Sequence, residues 1–156
     1  MIPPQEQAQP RPSKGRAARV RVADLEDAAP IAQLLSETRP EPLSSEEVTG
    51  DLEQGGALLL EDDTGTLLCA LTWLEADRGW TLRQPAVRGS YTGQALDRWV
   101  LTKLEALAIQ RNVPALEMHL HDEALLPLYR RMGYRQGSDL HLSKRVGGTW
   151  QTQGDA

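Results

Sequence analysis

The sequence predicts a single α/β (α+β) domain in which a mixed, mostly antiparallel central sheet is flanked by helices. Three strand-like runs follow one another with short turns between them, which is typical of an antiparallel meander. A strand, a long helix and another strand come next, and such a crossover adds a parallel pair to the sheet. The chain has 156 residues, the usual size of one domain, so we expect one domain with helices on both faces of its sheet.

The composition is that of a globular protein. Hydrophobic residues make up 40% and charged residues 25%, which excludes a fibrous or largely disordered chain. The longest apolar run, 67–74, is interrupted by Thr72 and is far shorter than the roughly 20 residues that cross a bilayer. Residues 1–10 do not resemble a secretory signal. A cytoplasmic protein with no membrane contact is therefore expected, and the single cysteine, Cys69, allows no internal disulfide.

The charges are unevenly distributed along the chain. Residues 1–21 hold five basic residues and one acidic residue, a net charge of +4, whereas the remaining 12 basic and 21 acidic residues give −9. An acidic body is a poor partner for nucleic acid, since that affinity depends on neutralising phosphates. Residues 1–17, rich in Pro, Gln, Ala and Arg, are interpreted as a disordered leader, residues 18–146 as the domain and residues 147–156 as a flexible tail.

In the first half of the chain, a strand begins at Arg19, where valines alternate with arginines. Asp24 or Asp27 can cap a helix that runs through Leu35, and a serine at 44 or 45 followed by two glutamates starts a second helix, which ends near residue 53. Two strands, 57–61 and 66–74, are joined by a turn that contains Gly65, and a third strand covers 80–83.

The second half contains the clearest helix, over residues 93–110, where apolar side chains recur every three or four positions. Residues 116–121 then alternate between apolar and polar side chains, which predicts a strand with one polar face. A short helix should hold Pro127 in its first turn and end at Met132 and Gly133. Leu140 and Leu142 indicate the last strand.

The turn between the third strand and the long helix has features of an anion site. An Arg-Gly sequence that leads into a helix leaves several backbone N–H groups without partners, and the helix dipole adds partial positive charge. Glycine also lets the backbone approach a ligand closely. The same sequence can equally be a plain strand-to-helix turn.

Two motifs together resemble the GNAT N-acetyltransferase superfamily. The first is the turn itself, in which Pro85 precedes and Leu96 follows the sequence Arg88, Gly89, Ser90, Tyr91, Thr92, Gly93. The second is the helix end 128–134, LYRRMGY, which looks like the family's tyrosine-containing helix. The resemblance covers residues 18–145, includes the predicted order of strands and helices, and implies the GNAT-like acyl-CoA N-acyltransferase fold.

The resemblance implies that acetyl-CoA is a co-substrate and that no metal is required. The backbone amides of the turn would hold the pyrophosphate; they belong to Arg88, Gly89, Ser90, Tyr91, Thr92, Gly93 and Gln94. The pantetheine would lie in a V-shaped gap between the strands that contain Trp80 and Glu117. Arg83, which replaces a usually apolar strand residue, could pair with a CoA phosphate.

Tyr129 matches the family tyrosine that often protonates the departing thiolate, and a phenol is a reasonable donor for that step. The alternative is a half-buried aromatic side chain that packs the last helix. The attacking amine must lose a proton, so a base is needed; Glu117 is favoured, with His119 and Glu75 as further candidates, although a solvated strand face explains Glu117 equally well.

Residues 37–63 contain nine acidic residues and one basic residue, Arg39. Because the resemblance places part of this segment beside the acceptor opening, an acidic rim there could attract a cationic amine; a solvated helix surface accounts for the same charges. The predicted acceptor is a small-molecule or peptidyl primary amine, and the family implies a possible homodimer.

Two other functions stay open at this stage. Tyr91 stands where the family motif has its first glycine, and Asp122 where the family commonly has asparagine, so the chain could be a GNAT-fold binding module without catalysis. Asp122 could also simply cap the following helix. His119 and His121 point the same way on a strand and could share a metal, which would favour a hydrolase.

Overall fold

The computed structural model describes residues 18–39, 41–91 and 95–146, which form one mixed sheet with helices on both faces. The strands are β1 (Arg19–Val22), β2 (Gly55–Glu61), β3 (Leu67–Ala76), β4 (Gly79–Arg83), β5 (Ala86–Val87), β6 (Ala115–His119), β7 (Arg135–Gln136) and β8 (His141–Arg145). The helices are α1 (Ala28–Thr38), α2 (Ser45–Gln54), α3 (Leu96–Gln110) and α4 (Leu126–Arg131). The leader 1–17 and the tail 147–156 lie outside the described residues.

The sheet order is β1-β2-β3-β4-β6-β8-β7, with β5 paired to β3. Strands β2, β3 and β4 form the expected antiparallel meander, and β1 pairs with β2, also antiparallel. Helix α3 then carries the chain across the sheet to β6, which lies parallel to β4. The predicted fold class is therefore confirmed. Strands β5 and β7 were not expected, because two residues are too few to show an alternating pattern.

Local signals set the helix starts as expected. Ser44 and Glu47 form a capping box at the start of α2, with hydrogen bonds of 3.1 and 2.9 Å. Asp24 caps a short 3₁₀ turn that leads into α1, and α1 continues to Thr38, three residues beyond the expected end. Pro127 lies in the first turn of α4. Helix α3 begins at Leu96, and residues 93 and 94 of its expected first turn lie outside the described ranges.

The sheet separates two hydrophobic layers. Alternate residues of β2 point to opposite faces, so Leu58 and Leu60 join one layer while Ala57 and Leu59 join the other. The first layer packs against α3 and α4, and the second against α1 and α2. Burying each leucine stabilises the fold by roughly 1.5–3 kcal/mol. Within the described ranges, no helix is both long and apolar enough to cross a membrane.

The edge of β3 that faces β4 and β5 is interrupted, and this interruption leads to the candidate site. β3 pairs with β4 through residues 73–76 and with β5 through residues 69–70. Between these two stretches the chain leaves the sheet at Gln84 and Pro85. The same region of β3 also contains a β-bulge at Leu68, where the pairing with β2 shifts by one residue.

Candidate functional site

The parallel strands β4 and β6 separate beyond Arg83 and His119. They are paired along their whole common length up to these two residues. After Arg83 the chain turns towards β3, where β5 pairs, whereas the N–H of Leu120 donates to the carbonyl of Leu140 on the other side. Hydrogen bonds join β4 and β6 along the paired residues, so the expected gap does not lie there. It opens beyond their carboxyl ends.

A side chain spans the base of this gap. The Gln84 Oε1 atom accepts hydrogen bonds from the backbone N–H groups of His121, at 2.7 Å, and Asp122, at 3.3 Å. The amide oxygen thus takes the place that a backbone carbonyl would hold in a continuing strand pair. Gln84 joins the two diverging chains while leaving space on either side of them.

Two pockets lie at the gap. The turn pocket, of about 300 Å³, contacts the start of α3 and is lined in part by Gln84, Tyr91, Leu96, Asp97, Asp122 and Leu125. The arginine pocket, of about 200 Å³, is lined in part by Arg39, Asp51, Thr72, Arg83, His119 and His121. Three pairs of consecutive residues are divided between them, namely Thr38–Arg39, Arg83–Gln84 and His121–Asp122. The pockets are therefore neighbours across the separated strands.

The turn expected to bind pyrophosphate is largely engaged in internal hydrogen bonds. The Arg88 backbone N–H donates to the Leu68 carbonyl at 2.8 Å, and its Nε donates to the Leu67 carbonyl at 2.7 Å. The Tyr91 N–H donates to the Arg88 carbonyl at 2.8 Å within a 3₁₀ turn, Gly89–Tyr91. The amides of Arg88 and Tyr91 already have acceptors within the fold, and the role of this turn in binding pyrophosphate stays a prediction.

Of the other residues predicted in this turn, Gly89 and Ser90 are solvent-exposed. Thr92, Gly93 and Gln94 lie outside the described residues. Ala95, which follows them, has a left-handed backbone with φ of 60° at the N-cap of α3. A non-glycine residue in this region is strained, and such strain is often found beside ligand sites.

The turn pocket carries negative charge. Asp97 and Asp122 line it, and no lysine or arginine is among its lining residues in the described part of the chain. Asp122 Oδ1 accepts a hydrogen bond from the Ala124 N–H at 3.0 Å, so its interpretation as a cap is confirmed. Arg83, expected to pair with a CoA phosphate, instead lines the arginine pocket, where its Nε lies 2.7 Å from Asp51 Oδ2.

Tyr129 is completely buried rather than half-buried. Its hydroxyl donates a long hydrogen bond, 3.5 Å, to Asp97 Oδ2, and its ring packs edge-on against Tyr134 at 6.1 Å. Burial raises the pKa of the phenol, and the neighbouring Asp97 carboxylate raises it further. The side chain is therefore a neutral phenol held beside a residue of the turn pocket. Its catalytic role stays a prediction.

Two of the three proposed bases are held away from the pockets. The Glu117 carboxylate lies 3.3 Å from His141 Nε2 on β8, and about half of its side chain is exposed. Glu75 accepts a hydrogen bond from the Trp73 indole at 3.2 Å and lies 4.0 Å from Arg111. Neither glutamate is among the residues that line the two pockets.

The histidines that do line the arginine pocket are His119 and His121. Burial lowers the pKa of His121, and the nearby cationic Arg39 lowers it further. His121 is therefore neutral at neutral pH and able to accept a proton. From the sequence His121 was only a metal candidate, since nothing in its spacing shows that the chain turns it towards this pocket.

The arginine pocket also contains buried polar atoms without partners. The Nε and Nη1 atoms of Arg39 and the hydroxyl of Thr72 are shielded from solvent and have no hydrogen-bond partner among the described residues. Leaving such a group unpaired costs roughly 1–3 kcal/mol. The sequence contained a signal for each residue, because Thr72 interrupts an apolar run and Arg39 is the one base in an acidic segment.

The metal hypothesis gains no site in the described residues. The rings of His119 and His121 lie 6.5 Å apart, and in residues 18–39, 41–91 and 95–146 no group of three or more His, Cys, Asp or Glu side chains is placed to hold a metal. Cys69 is fully buried, and burial raises the pKa of its thiol. A reactive thiolate is not favoured there.

A larger groove, of about 610 Å³, lies between the β1–β2 edge and α3. Among the side chains that line it in the described part of the chain, Lys103 is the one titratable group. Since acid–base chemistry needs at least a donor and an acceptor for protons, the candidate site remains at the two neighbouring pockets.

The structure is similar to several solved N-acetyltransferases, although the sequence matches no family model and no curated protein. It aligns with the ribosomal-protein-S18-alanine N-acetyltransferase of Escherichia coli with a TM-score of 0.71 and 18% identity, covering 83% of this chain and 94% of that one. The alignment with a GNAT-family N-acetyltransferase of Escherichia coli in complex with CoA has a TM-score of 0.69 and 20% identity, and it covers 90% of this chain and 85% of that one. The alignment with the PaiA N-acetyltransferase of Thermoplasma acidophilum in complex with coenzyme A has a TM-score of 0.68 and 13% identity, and it covers 84% of this chain and 100% of that one.

These similarities extend over nearly the whole described chain. At 20% identity or less they establish a shared fold, whereas the chemistry has to be argued from the site itself, because one fold can carry several functions.

Proposed function

Because this chain has the fold of the GNAT N-acetyltransferases, we propose that it transfers an acetyl group from acetyl-CoA to a primary amine. The observation that carries the proposal is the pair of neighbouring pockets at the diverging ends of β4 and β6. In this arrangement the turn pocket takes the thioester arm of acetyl-CoA and the arginine pocket takes the acceptor. The acceptor is a small molecule or the end of a peptide.

The reaction is a direct attack of the amine nitrogen on the thioester carbonyl. The new C–N bond forms, the amine loses one proton to a base, and the C–S bond breaks to release a thiolate that takes up a proton. His121 is the proposed base, since it lines the arginine pocket and its lowered pKa leaves it unprotonated. His119, which lines the same pocket, is the second candidate.

Tyr129 is the proposed acid for the thiolate. Its raised pKa keeps the phenol protonated, although the same shift makes it a weaker donor. Its hydroxyl hydrogen now points to Asp97 through a long, 3.5 Å contact. Asp97 borders the turn pocket, so the Tyr129 hydroxyl is one hydrogen bond away from that pocket, and a thiolate can reach it only if the residues that bury Tyr129 move aside.

Gln84 sets a condition on cofactor entry. An extended arm that uses the N–H groups of His121 and Asp122 has to replace the Gln84 amide oxygen, which now accepts from both. Exchange of one acceptor for another conserves the number of hydrogen bonds, so the net free-energy change is small. Such pairing of a ligand amide with a free strand end is a form of β-augmentation.

A second function, a GNAT-fold binding module without catalysis, is favoured by the electrostatics of the turn pocket. Two carboxylates, Asp97 and Asp122, line it without a lysine or arginine among the described residues. An anionic cofactor is repelled by such a lining, and the Arg88 and Tyr91 amides are already used. In this case the fold would serve a partner other than CoA.

Calorimetric titration of the purified protein with acetyl-CoA separates the two functions, with CoA and zinc as further titrants. The acetyltransferase proposal expects one-to-one binding in the micromolar range. Asp97→Asn should tighten that binding, because it removes one negative charge from the turn pocket, whereas Asp77→Asn in the exposed β3–β4 turn should leave it unchanged. Absence of binding at millimolar acetyl-CoA would reject the acetyltransferase and favour the binding module.

A further inference from the structure

We propose that the arginine pocket binds a carboxylate, so that the acceptor is an amino acid or a similar amine that carries an acid group. The inference rests on the proposed function for the role of this molecule as acceptor. The binding of a carboxylate in the pocket, however, can be measured without acetyl-CoA.

The pocket has one positive charge that no described residue neutralises. Arg83 forms its ion pair with Asp51, which balances both charges. Arg39 has no ion pair among the described residues, and its Nε and Nη1 atoms are buried without hydrogen-bond partners. Guanidinium is always ionised and recognises carboxylates through charge-assisted hydrogen bonds. An anionic group is the ligand that would satisfy it.

Thr72 provides an independent observation. It is 1% exposed, lies on β3 in the lining of the same pocket, and its hydroxyl has no hydrogen-bond partner in the part of the chain that the structure describes. Buried hydroxyl groups in native proteins are nearly always hydrogen-bonded. A carboxylate oxygen between Thr72 and Arg39 would satisfy both residues, which no apolar or cationic ligand could do.

Among the described residues, no acid of the segment 37–63 forms an ion pair with Arg39, and three of these acids have other partners. Asp51 pairs with Arg83, Glu61 pairs with Arg21 at 2.8 Å, and Glu47 accepts the N–H of Ser44. Glu47 is also close enough to Arg83 and Arg39 for their charges to lower the pKa of its carboxyl, so it offsets part of the positive charge but does not supply the hydrogen bonds that Arg39 lacks.

The size of the pocket favours a small ligand, and its charge favours a carboxylate over a phosphate. At about 200 Å³ the pocket is smaller than the range of roughly 300–1,000 Å³ that is typical for drug-sized ligands. A carboxylate carries one negative charge, which matches Arg39, whereas a phosphate group carries about −1.5 to −2 at neutral pH.

The test compares acids with matched amides of the same length. The full-length protein is titrated calorimetrically, without acetyl-CoA, with ω-amino acids from glycine to 6-aminohexanoate, with the corresponding ω-amino amides, and with inorganic phosphate. We expect at least one acid to bind at least tenfold more tightly than its amide and than phosphate. Equal affinity of acid and amide throughout the series, tighter phosphate binding, or no binding of any acid would overturn the proposal.

Variants locate the site. Arg39→Gln and Thr72→Val should each remove most of the preference for acid over amide, whereas Arg78→Gln, in the exposed β3–β4 turn, should retain it. Thermal unfolding shows which variants are folded. If a variant is not folded, the acid–amide comparison in the unmodified protein still tests the proposal. An unchanged preference in a folded Arg39→Gln protein would contradict the assignment. Acid binding in a protein that does not bind acetyl-CoA would support the pocket and reject the acetyltransferase.

Discussion

The Nε atom of Arg83 lies 2.7 Å from Oδ2 of Asp51, and this ion pair joins β4 to α2 across the arginine pocket. Asp51 is mostly buried, with 10% of its side chain exposed, and Arg83 is 31% exposed. A pair in this position holds the helix against the strand and also fixes which arginine of the pocket is neutralised. Removing the acid should therefore affect both stability and ligand binding.

Asp51→Asn is expected to lower the free energy of unfolding by roughly 1–3 kcal/mol, because it leaves a partly buried guanidinium without its anion. Urea denaturation measures the change. Asp63→Asn, in the exposed hairpin turn, is the control and should stay within about 0.5 kcal/mol of the unmodified protein. Equal stability of the two variants would show that the pair contributes nothing measurable.

Two glycine-to-alanine substitutions should have opposite signs. Gly79 has a φ of 151°, and a Cβ there would lie 2.1 Å from the carbonyl oxygen of Ala115 on β6. Gly79→Ala should therefore lose roughly 1–3 kcal/mol or more. Gly50 lies inside α2, and a Cβ added there would meet no atom within 4 Å, so Gly50→Ala should gain about 0.5–1 kcal/mol. Chemical denaturation of both proteins tests the prediction, and a destabilised Gly50→Ala would contradict it.

Tyr129→Phe should lower kcat at least tenfold while acetyl-CoA affinity changes little, because the hydroxyl acts on the thiolate and not on cofactor binding. Tyr134→Phe is a matched control, since that hydroxyl is also buried but donates to Glu105 at 2.8 Å. Steady-state kinetics and calorimetry on both variants provide the comparison. Equal turnover in the two variants would remove Tyr129 from the mechanism.

The pH dependence of kcat/KM should report His121. Burial and the nearby Arg39 lower its pKa below the ordinary value of 6.5. As a base it works when unprotonated, so activity should be full above this pKa and fall as the pH drops through it, with a midpoint below 6.5. His121→Gln should abolish this acidic limb. His141→Gln, whose histidine contacts Glu117 and lines neither pocket, should retain it; the reverse pattern would exclude His121 as the base.

The order of strands and helices was accessible from the sequence because it depends on local periodicity. In β6, for instance, Leu116 and Met118 are buried while Glu117 and His119 are exposed, as their alternation predicts. Capping signals such as Ser44 with Glu47 were equally readable. Strands β5 and β7 were not, since two residues do not form a pattern and their pairing depends on where the rest of the sheet places them.

The candidate site was less accessible for the same reason. The sequence indicated the turn and Tyr129, but not that Arg88 would donate to the carbonyls of β3, nor that Gln84 would bridge to His121. These contacts join residues 20 to 37 positions apart. Such contacts depend on how strands and helices pack against one another, which local sequence patterns do not show. They determine which polar groups are hydrogen-bonded and which, like the Nε of Arg39, have no partner among the described residues.

At three places in the chain, two consecutive residues line different pockets, so adjacent positions serve different pockets. Arg39, Arg83 and His121 face one pocket, whereas their neighbours Thr38, Gln84 and Asp122 face the other. Under the proposed function, a point substitution at one of these positions would change the acceptor side without altering the cofactor side. An inserted or deleted residue between Arg83 and Gln84 would instead displace both side chains from their pockets, so this segment should tolerate a substitution better than a change in length.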